Sequence, residues 1–272
     1  MDGLGVSTGS PARMEGQVWK RQRRHPGREQ NDLEEAEEDW VQDASGPHTC
    51  TLIFLHSCCG APRHVQGLLQ DLKFPLDGLR VVAPCAPKRP SGIPEWGDSF
   101  QWFEYSTDQL RFGQGTQDDA VVHQLREQRL RLIELLAIEL DRLPPDGRMV
   151  LGGVSQGASM ALDLLLHSCR PPSCKLKGVL SQRGMLQRET LDDLRQSCPM
   201  SPTASLENIL VLATHGVEDE LVPIGYAIAS YEHLQDFGVS VVFSAHPGLN
   251  HSGYDDAESD AIAQFMKRMV CA

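Results

Sequence analysis

The stretch RMVLGGVSQGASMALDLLL at residues 148–166 decides the fold of this chain. Its first part, RMVLG, is a short apolar run with the length and composition of a buried strand. Its last part, ASMALDLLL, carries apolar residues at the spacing of one helix face. Between the two lies the G-x-S-x-G motif GVSQG at 153–157. A strand, a sharp turn and a helix in this order predict a nucleophile elbow, a turn that exposes a serine hydroxyl above a sheet.

The two glycines of the motif have a steric role. A serine on such a turn is flanked so closely by strand and helix that side chains two positions before and after it would collide, which Gly153 and Gly157 avoid. The start of the helix also offers free backbone N–H groups and the positive end of the helix dipole. An ordinary serine on a glycine-softened turn is the alternative, but the flanking strand and helix favour Ser155 as a nucleophile.

Short apolar runs alternate with helical segments along the rest of the chain. The clearest helical segment extends from Asp118 to Leu143 and stops at a Pro-Pro pair, which cannot continue a helix. Strands that alternate with helices pair in parallel through right-handed crossovers. The pattern therefore predicts the α/β-hydrolase fold, a doubly wound and mostly parallel sheet flanked by helices. The predicted strands are TLIFL (51–55), LRVVAP (79–84), RMVLG (148–152), LKGVLS (176–181), NILVLAT (208–214) and SVVFSA (240–245).

Residues 1–47 differ in composition from the remainder. A basic cluster around Arg21 is followed by an acidic run that ends at Asp39, and apolar residues are sparse and without period. We predict a disordered or loosely attached extension at 1–47 and one α/β-hydrolase domain at 48–272. A solvated tail explains the basic cluster better than a nuclear signal does, because short basic runs are common.

Composition excludes several functions. A net charge of −12 would repel a phosphate backbone, which disfavours nucleic-acid binding. The chain shows no apolar stretch long enough for a transmembrane helix and no secretory signal, so we expect a cytoplasmic protein. The eight cysteines are then expected to be reduced thiols, and their spacing does not suggest a zinc site. We predict no metal or cofactor, and the oligomeric state is not indicated.

A nucleophilic serine needs a base and an acid, which in this fold follow it in the order Ser, acid, His. The segment after the run at 208–214 offers Glu218, Asp219 and Glu220, and the segment after 240–245 offers His246 and His251. Position alone leaves both choices open. The histidine would take the serine proton, and the acid would fix the imidazole tautomer and stabilise its cation.

An oxyanion hole is expected from two backbone N–H groups. One belongs to the residue after the nucleophile, which is Gln156. The other should come from the loop that follows the strand TLIFL, where the sequence is HSCCG at 56–60. A simple turn at the end of the strand is the alternative interpretation of that loop.

From about Thr51 to its end, the chain resembles the acyl-protein thioesterase and small carboxylesterase family, also called the phospholipase/carboxylesterase family. The resemblance implies Asp219 as the acid, since it stands three residues before a Val-Pro step, and His251 as the base, since it precedes a serine. It also implies a substrate loop at Trp102 and Phe103. The matching stretches are FLH at 54–56, APCAPKRP at 83–90, SFQWFEY at 99–105, GGVSQGASMAL at 152–162, HGVEDELVP at 215–223 and NHS at 250–252.

The resemblance also implies the activity. Members of this family hydrolyse carboxylic esters and thioesters, so an acylated protein or a small or lipid ester is the expected substrate. A transient contact with a membrane surface is compatible with such substrates.

The chain departs from the family pattern in the oxyanion loop. The family has His-Gly-Leu-Gly-Asp where this chain has HSCCG, so that by position Cys58 supplies the second N–H. The loss of two glycines restricts the backbone, and we expect Ser57 and Cys59 to impair the loop unless Gly60 adopts the unusual dihedral instead. The altered loop supports a second hypothesis, a catalytically weak member that binds acylated ligands or partners, whereas the complete triad favours an active hydrolase.

Overall fold

A mostly parallel sheet forms the centre of the protein, which we describe from a computed structural model covering residues 38–90, 97–104, 119–168, 175–197, 206 and 208–271. Seven of the described strands hydrogen-bond in the order β1-β3-β2-β6-β7-β8-β9, and β4 pairs separately with β5. Every pairing in the large sheet is parallel except that of β1 with β3. The strands are β1 (Trp40–Gln42), β2 (Cys50–Leu55), β3 (Leu79–Ala83), β4 (Lys88–Pro90), β5 (Asp98–Phe100), β6 (Arg148–Val154), β7 (Leu176–Gln182), β8 (Leu210–Gly216) and β9 (Ser240–His246).

Helices cover both faces of this sheet. The described helices are α1 (Val65–Asp71), α2 (Asp119–Arg142), α3 (Gln156–Ser168), α4 (Arg188–Ser197), α5 (Ile224–Asp236) and α6 (Asp256–Cys271). The sheet separates two apolar clusters, one that includes residues of α2, α3 and α5 and one that includes residues of α1 and α6. The predicted α/β-hydrolase architecture is confirmed, and each of the six predicted strands is present within two residues of its predicted limits.

Strand β2 illustrates why the central strands are continuous apolar runs. Its side chains alternate between the clusters, with Ile53 and Leu55 on one side and Leu52 and Phe54 on the other. All of its residues are buried because both faces of the sheet are covered. The carboxyl ends of β6, β7, β8 and β9 meet at one edge, which is where open α/β sheets bind their ligands.

The edge strand β1 corrects the predicted start of the domain. We expected the domain to begin at residue 48, but Trp40–Gln42 pair antiparallel with β3. Asp39 accepts a hydrogen bond from the Cys85 backbone N–H at 2.7 Å, and Asp43 forms an ion pair with Arg80. A strand of three residues is too short to give a period in the sequence, which is why it was missed. The predicted disorder of the extension falls mostly on residues 1–37, which lie outside the described part of the chain.

None of the helices in the described ranges combines the length and the apolar character needed to cross a bilayer.

Deletion of residues 1–47 should destabilise the protein, because it removes β1 and the hydrogen bond from Cys85 to Asp39. Net hydrogen-bond contributions of about 0.5–1.5 kcal/mol each suggest a loss of about 2 kcal/mol. For a domain of this size that loss lowers the thermal midpoint by about 4–8 °C. Calorimetry of this deletion beside deletion of residues 1–37 measures the effect. Equal midpoints for the two shortened chains would show that β1 contributes nothing.

Candidate active site

Ser155 lies on a strained turn between β6 and α3. Its φ of 55° is in the left-handed region, which residues other than glycine rarely adopt. A Cβ atom at Gly153 would stand 2.4 Å from the Gly157 carbonyl carbon, and one at Gly157 would stand 2.1 Å from the Leu55 carbonyl oxygen. The Ser155 N–H donates to the Gln182 carbonyl at 2.8 Å, which ties the turn to β7. The predicted steric role of both glycines is therefore present in the structure.

Ser155, His251 and Asp219 form a continuous hydrogen-bonded chain. The His251 Nε2 atom lies 2.9 Å from the Ser155 hydroxyl, and its Nδ1 atom lies 2.7 Å from Oδ2 of Asp219. The serine follows β6, the aspartate follows β8 and the histidine follows β9, so three strand ends supply the three side chains. With Nδ1 protonated toward the carboxylate, Nε2 is free to accept the serine proton.

Hydrogen-bond partners distinguish Asp219 and His251 from the other acids and the other histidine that were candidates by position. The Glu218 carboxylate accepts a hydrogen bond from the Gly248 backbone, and the Glu220 side chain is exposed to solvent. The His246 ring bonds to Asp255 at 3.1 Å through Nδ1 and to the Ser244 hydroxyl at 2.9 Å through Nε2. The structure therefore brings Asp219 and His251 to Ser155, whereas Glu218 and His246 contact other residues and Glu220 points to solvent.

Asp219 is buried but well supplied with donors. Its Oδ1 atom accepts hydrogen bonds from the backbone N–H groups of Leu221 at 3.0 Å and Val222 at 2.8 Å. Burial would raise the pKa of the Asp219 carboxyl, but the hydrogen bond and charge of His251 and the Val222 N–H outweigh it and hold this pKa below its usual value. The carboxyl group is therefore ionised at neutral pH.

Arg183 supports the loop that carries His251, a role that no pattern in the sequence indicates. Its guanidinium donates to the His251 carbonyl at 2.9 Å and forms a buried ion pair with Glu258 of α6. The second oxygen of Glu258 accepts from the Thr214 hydroxyl at 2.8 Å. An arginine one residue beyond a strand looks like an ordinary surface cation in a sequence, and only the fold shows that this one is buried beside the site.

Two backbone N–H groups are the predicted donors of an oxyanion hole. Gln156 is the first residue of α3, and N–H groups in the first turn of a helix have no acceptor within the helix. In the loop after β2, the Cys58 N–H has no acceptor among the residues that the structure describes, whereas the neighbouring Cys59 N–H donates to the Phe100 carbonyl at 2.9 Å. Within the described residues, neither predicted oxyanion donor has another hydrogen-bond acceptor for its N–H group. No cluster of three or more His, Cys, Asp or Glu side chains suited to a metal occurs among the described residues.

Comparison with known proteins places this site in a family. Residues 36–270 match the model of a family described as phospholipase/carboxylesterase. The chain belongs to the phospholipase/carboxylesterase family. Its predicted enzyme class, a hydrolase that acts on ester or thioester bonds, is confirmed.

Individual relatives agree with this assignment. Acyl-protein thioesterase 1 of Gibberella zeae is 26% identical over 238 residues, which cover 85% of this chain and 94% of that protein. Lysophospholipase-like protein 1 of Mus musculus is 28% identical over 221 residues, or 78% of this chain and 83% of the relative. The crystal structure of Zea mays acyl-protein thioesterase 2 superposes with a TM-score of 0.67 at 22% identity, covering 85% of this chain and 98% of that one. This structural likeness supports the fold.

The Trp-Phe pair has a different place from the one that the family resemblance implied. Trp102 and Phe103 were expected in a substrate loop, but their side chains are 0% and 1% exposed and belong to the core. The Gln156 side chain accepts from the Trp102 N–H at 2.7 Å and donates to the Phe103 carbonyl at 2.6 Å. Large apolar rings gain more from burial than from a solvent-facing loop. The backbone of the pair therefore holds the side chain of Gln156, the residue that follows Ser155.

Trp102 and His56 also fix the start of the oxyanion loop. The Trp102 indole N–H donates to the His56 carbonyl at 2.8 Å. The His56 ring lies 2.8 Å from the Ser57 carbonyl through Nδ1 and accepts from the Ala86 N–H at 3.0 Å through Nε2. Burial lowers the pKa of His56 to about 4, so this ring stays neutral and has a structural role.

Cys59, at the position of the second glycine in the family pattern, adopts a left-handed backbone conformation. Its φ is 59°, and Gly60, expected as the alternative, has no such angle. A Cβ atom at Gly60 would stand 2.8 Å from both the Ser57 carbonyl oxygen and its hydroxyl, so this glycine is required for space. The suggested compensation through Gly60 is therefore wrong. The left-handed residue of the loop is therefore Cys59, and a side chain in this conformation is strained.

Substitutions at these two positions should act in opposite directions. A left-handed residue other than glycine costs roughly 1–2 kcal/mol, and an added glycine returns about 0.4–1 kcal/mol to the unfolded chain. Cys59→Gly should therefore raise the free energy of unfolding by up to about 1 kcal/mol. Gly60→Ala should lower it by about 1–3 kcal/mol, because its methyl group meets backbone. Urea denaturation of both variants measures this, and a stabilised Gly60→Ala protein would contradict the assignment.

Proposed function

We propose that this protein is a serine hydrolase in which Ser155 attacks the carbonyl carbon of an acyl ester or thioester. The observation that carries the proposal is the hydrogen-bonded chain from Ser155 through His251 to Asp219, with lengths of 2.9 and 2.7 Å. Ser155 lies on a strained turn at the start of a helix. Such a turn directs the serine hydroxyl away from the sheet. Nucleophile, base and orienting acid are thus all within hydrogen-bond reach.

The first half of the reaction acylates the serine. As the Ser155 oxygen bonds to the substrate carbonyl carbon, His251 takes the hydroxyl proton at Nε2, and the carbonyl oxygen becomes negatively charged. The N–H groups of Gln156 and Cys58 stabilise that charge. When the tetrahedral intermediate collapses, the bond to the leaving oxygen or sulfur breaks, and the imidazolium returns its proton to the departing alcohol or thiol. The acyl group is then an ester of Ser155.

The second half uses water in place of the serine. His251 removes a proton from a water molecule that attacks the acyl-enzyme carbonyl carbon, and the same two N–H groups stabilise the new oxyanion. Collapse of this second intermediate releases the carboxylic acid and restores the Ser155 hydroxyl. The ionised Asp219 stabilises the imidazolium in both halves, which is consistent with a carboxyl pKa held below its usual value.

We propose an acyl group on a protein cysteine, or on a small or lipid alcohol, as the substrate. Support comes from the names of two relatives, an acyl-protein thioesterase in Gibberella zeae and a lysophospholipase-like protein in Mus musculus. A cytoplasmic location, with transient contact to a membrane surface when the substrate is a lipid or an acylated protein, completes the proposal.

The conformation of Cys59 favours a second candidate function, which is binding of acylated ligands with weak catalysis. A cysteine at φ 59° is more strained than a glycine would be in the same conformation. If the strain displaced an oxyanion N–H, turnover would slow while ground-state binding stayed intact. Steady-state kinetics separate the two candidates, since weak catalysis gives a low kcat with an ordinary KM, whereas the proposed hydrolase turns over at the usual rate of its class.

Ser155→Ala should abolish both hydrolysis of p-nitrophenyl butyrate and covalent labelling by a fluorophosphonate, which reacts only with an activated serine. Folding should persist, since the substitution removes a single oxygen. Mass spectrometry of the labelled protein measures the first effect, and the thermal midpoint checks the second. The matched control is Ser159→Ala, one helical turn away, which should still be labelled. Turnover near the original rate in the Ser155 variant would remove this serine from the mechanism.

Asp219→Asn should lower kcat by about 10⁴, because an amide at this position favours the wrong imidazole tautomer. Glu218→Gln and Glu220→Gln are suitable controls of the same chemical change, and we expect each to alter kcat less than threefold, an allowance of about 0.6 kcal/mol. The three kcat values are measured on one short acyl ester. A large loss in either control together with a nearly silent Asp219→Asn would reverse the assignment of the acid.

A further inference from the structure

Two adjacent thiols stand on the loop that carries the candidate oxyanion N–H. The sulfur atoms of Cys58 and Cys59 are 3.6 Å apart, and both cysteines are free. Cys59 is exposed to solvent, whereas Cys58 is half-buried, with its thiol 3.6 Å from the Gln101 side-chain oxygen. The family pattern has no cysteine in this loop, and the hydrolytic steps described above use the backbone N–H of Cys58 but neither thiol.

The surroundings divide the two thiols into a nucleophile and a partner. The hydrogen bond between the two thiols lowers the pKa of Cys59 to about 6, although partial burial acts in the opposite direction. The hydrogen bond to Cys59 and then burial raise the pKa of Cys58. Cys59 is therefore the more acidic thiol of the pair, and it is also the more exposed one. An accessible thiolate next to a second cysteine is the usual arrangement of thiols that react reversibly with oxidants.

We propose that Cys58 and Cys59 form an oxidation site for hydroperoxides, which closes to a disulfide between neighbouring residues and thereby switches off the hydrolase. The Cys59 thiolate attacks the outer peroxide oxygen, the O–O bond breaks and the released alkoxide or hydroxide takes a proton, leaving a sulfenic acid. The Cys58 sulfur then attacks the Cys59 sulfur, and the sulfenic hydroxyl leaves as water with the Cys58 proton. A dithiol reductant restores both thiols. The inhibitory effect rests on the proposed function of this site.

Closure of the disulfide must move the loop backbone. A disulfide needs its sulfur atoms about 2.05 Å apart, whereas the two sulfur atoms of Cys58 and Cys59 are 3.6 Å apart. Both side chains and the backbone between them must therefore shift. The ring that forms contains the peptide bond joining the two cysteines. The φ of 59° at Cys59 and its 2.9 Å hydrogen bond to Phe100 lie within that ring or next to it. The Cys58 N–H is attached to this ring, so ring closure turns it away from the oxyanion of the substrate. Loss of one oxyanion donor costs about 10²–10³ in kcat.

Other described cysteines provide internal controls. Cys50 and Cys85 are buried, and burial raises the pKa of Cys50 to about 12, which keeps that thiol protonated and unreactive. Cys271 is exposed at the end of α6, far along the chain from the loop, so it is accessible to peroxide and has a different setting. An effect specific to the pair must therefore survive Cys271→Ser.

The experiment treats the fully reduced, full-length protein with a small excess of hydrogen peroxide. Intact-mass and peptide mass spectrometry then follow the thiols, and hydrolysis of p-nitrophenyl butyrate follows the activity. We expect loss of two hydrogen atoms within the 58–59 segment, a fall in kcat of about 10²–10³, and recovery of both mass and rate with dithiothreitol. Cys271→Ser should respond in the same way, relative to its own reduced rate.

Substitutions within the pair test the order of steps. Cys58→Ser should stop at a Cys59 sulfenic acid, which the reagent dimedone traps, and Cys59→Ser should show neither change. Absence of the disulfide, or trapping at another cysteine alone, would overturn the oxidation site. A disulfide at 58–59 with an unchanged kcat would overturn the switch. If the reduced protein hydrolyses no ester, the proposed function fails, while the mass measurements still decide the oxidation site.

Discussion

The close approach of strand, turn and helix at Ser155 is the constraint on which the rest of the structure depends. The carbonyl of Leu55 in β2 lies where a side chain at position 157 would stand, so α3 can begin there only with glycine. This contact fixes the direction of α3, and with it the Gln156 N–H and the serine hydroxyl. Strand β2 also leads directly into the oxyanion loop, so a single contact relates the nucleophile to both expected donors.

Gln156 links the turn at Ser155 to the residues beneath the oxyanion loop through buried hydrogen bonds. Its backbone N–H is a candidate oxyanion donor, while its buried side chain bonds to the backbone of Trp102 and Phe103. Trp102 in turn holds the carbonyl of His56. Because these polar groups are buried, each unmade bond would cost about 1–3 kcal/mol, so the arrangement is rigid. The loop with the two cysteines is therefore anchored at its start by the same residues that anchor the helix of the nucleophile.

The elements that could be predicted are those whose local pattern is complete in the sequence. Strand β6, the glycines at 153 and 157, and α2 all show their pattern within about twenty residues, and each was predicted close to its observed position. Strand β1 was missed because three residues carry no period, and its pairing with β3 is a tertiary contact. Asp219 differs from the neighbouring acids because its carboxylate contacts His251. A sequence does not contain this contact, so only the family resemblance could single out Asp219.

The buried positions of Trp102 and Arg183 were beyond sequence analysis for a related reason. An aromatic residue near a site suits a substrate surface and a core equally well, and an arginine after a strand is usually solvated. What decides each case is the partner, here the side chain of Gln156 and the carboxylate of Glu258. Both partners lie more than fifty residues away in the chain, at separations of 54 and 75 residues.

The ion pair between Arg183 and Glu258 also has a consequence for the order of folding. Ser155 and His251 are separated by 96 residues, and the arginine that holds the His251 loop takes its partner from α6. Contacts between such distant segments form after large entropic costs of loop closure, and so later than neighbouring strands pair. The sheet itself joins segments that are equally distant, since Cys50 of β2 lies opposite Arg148 of β6. Hydrolytic activity therefore reports completion of the native state as a whole.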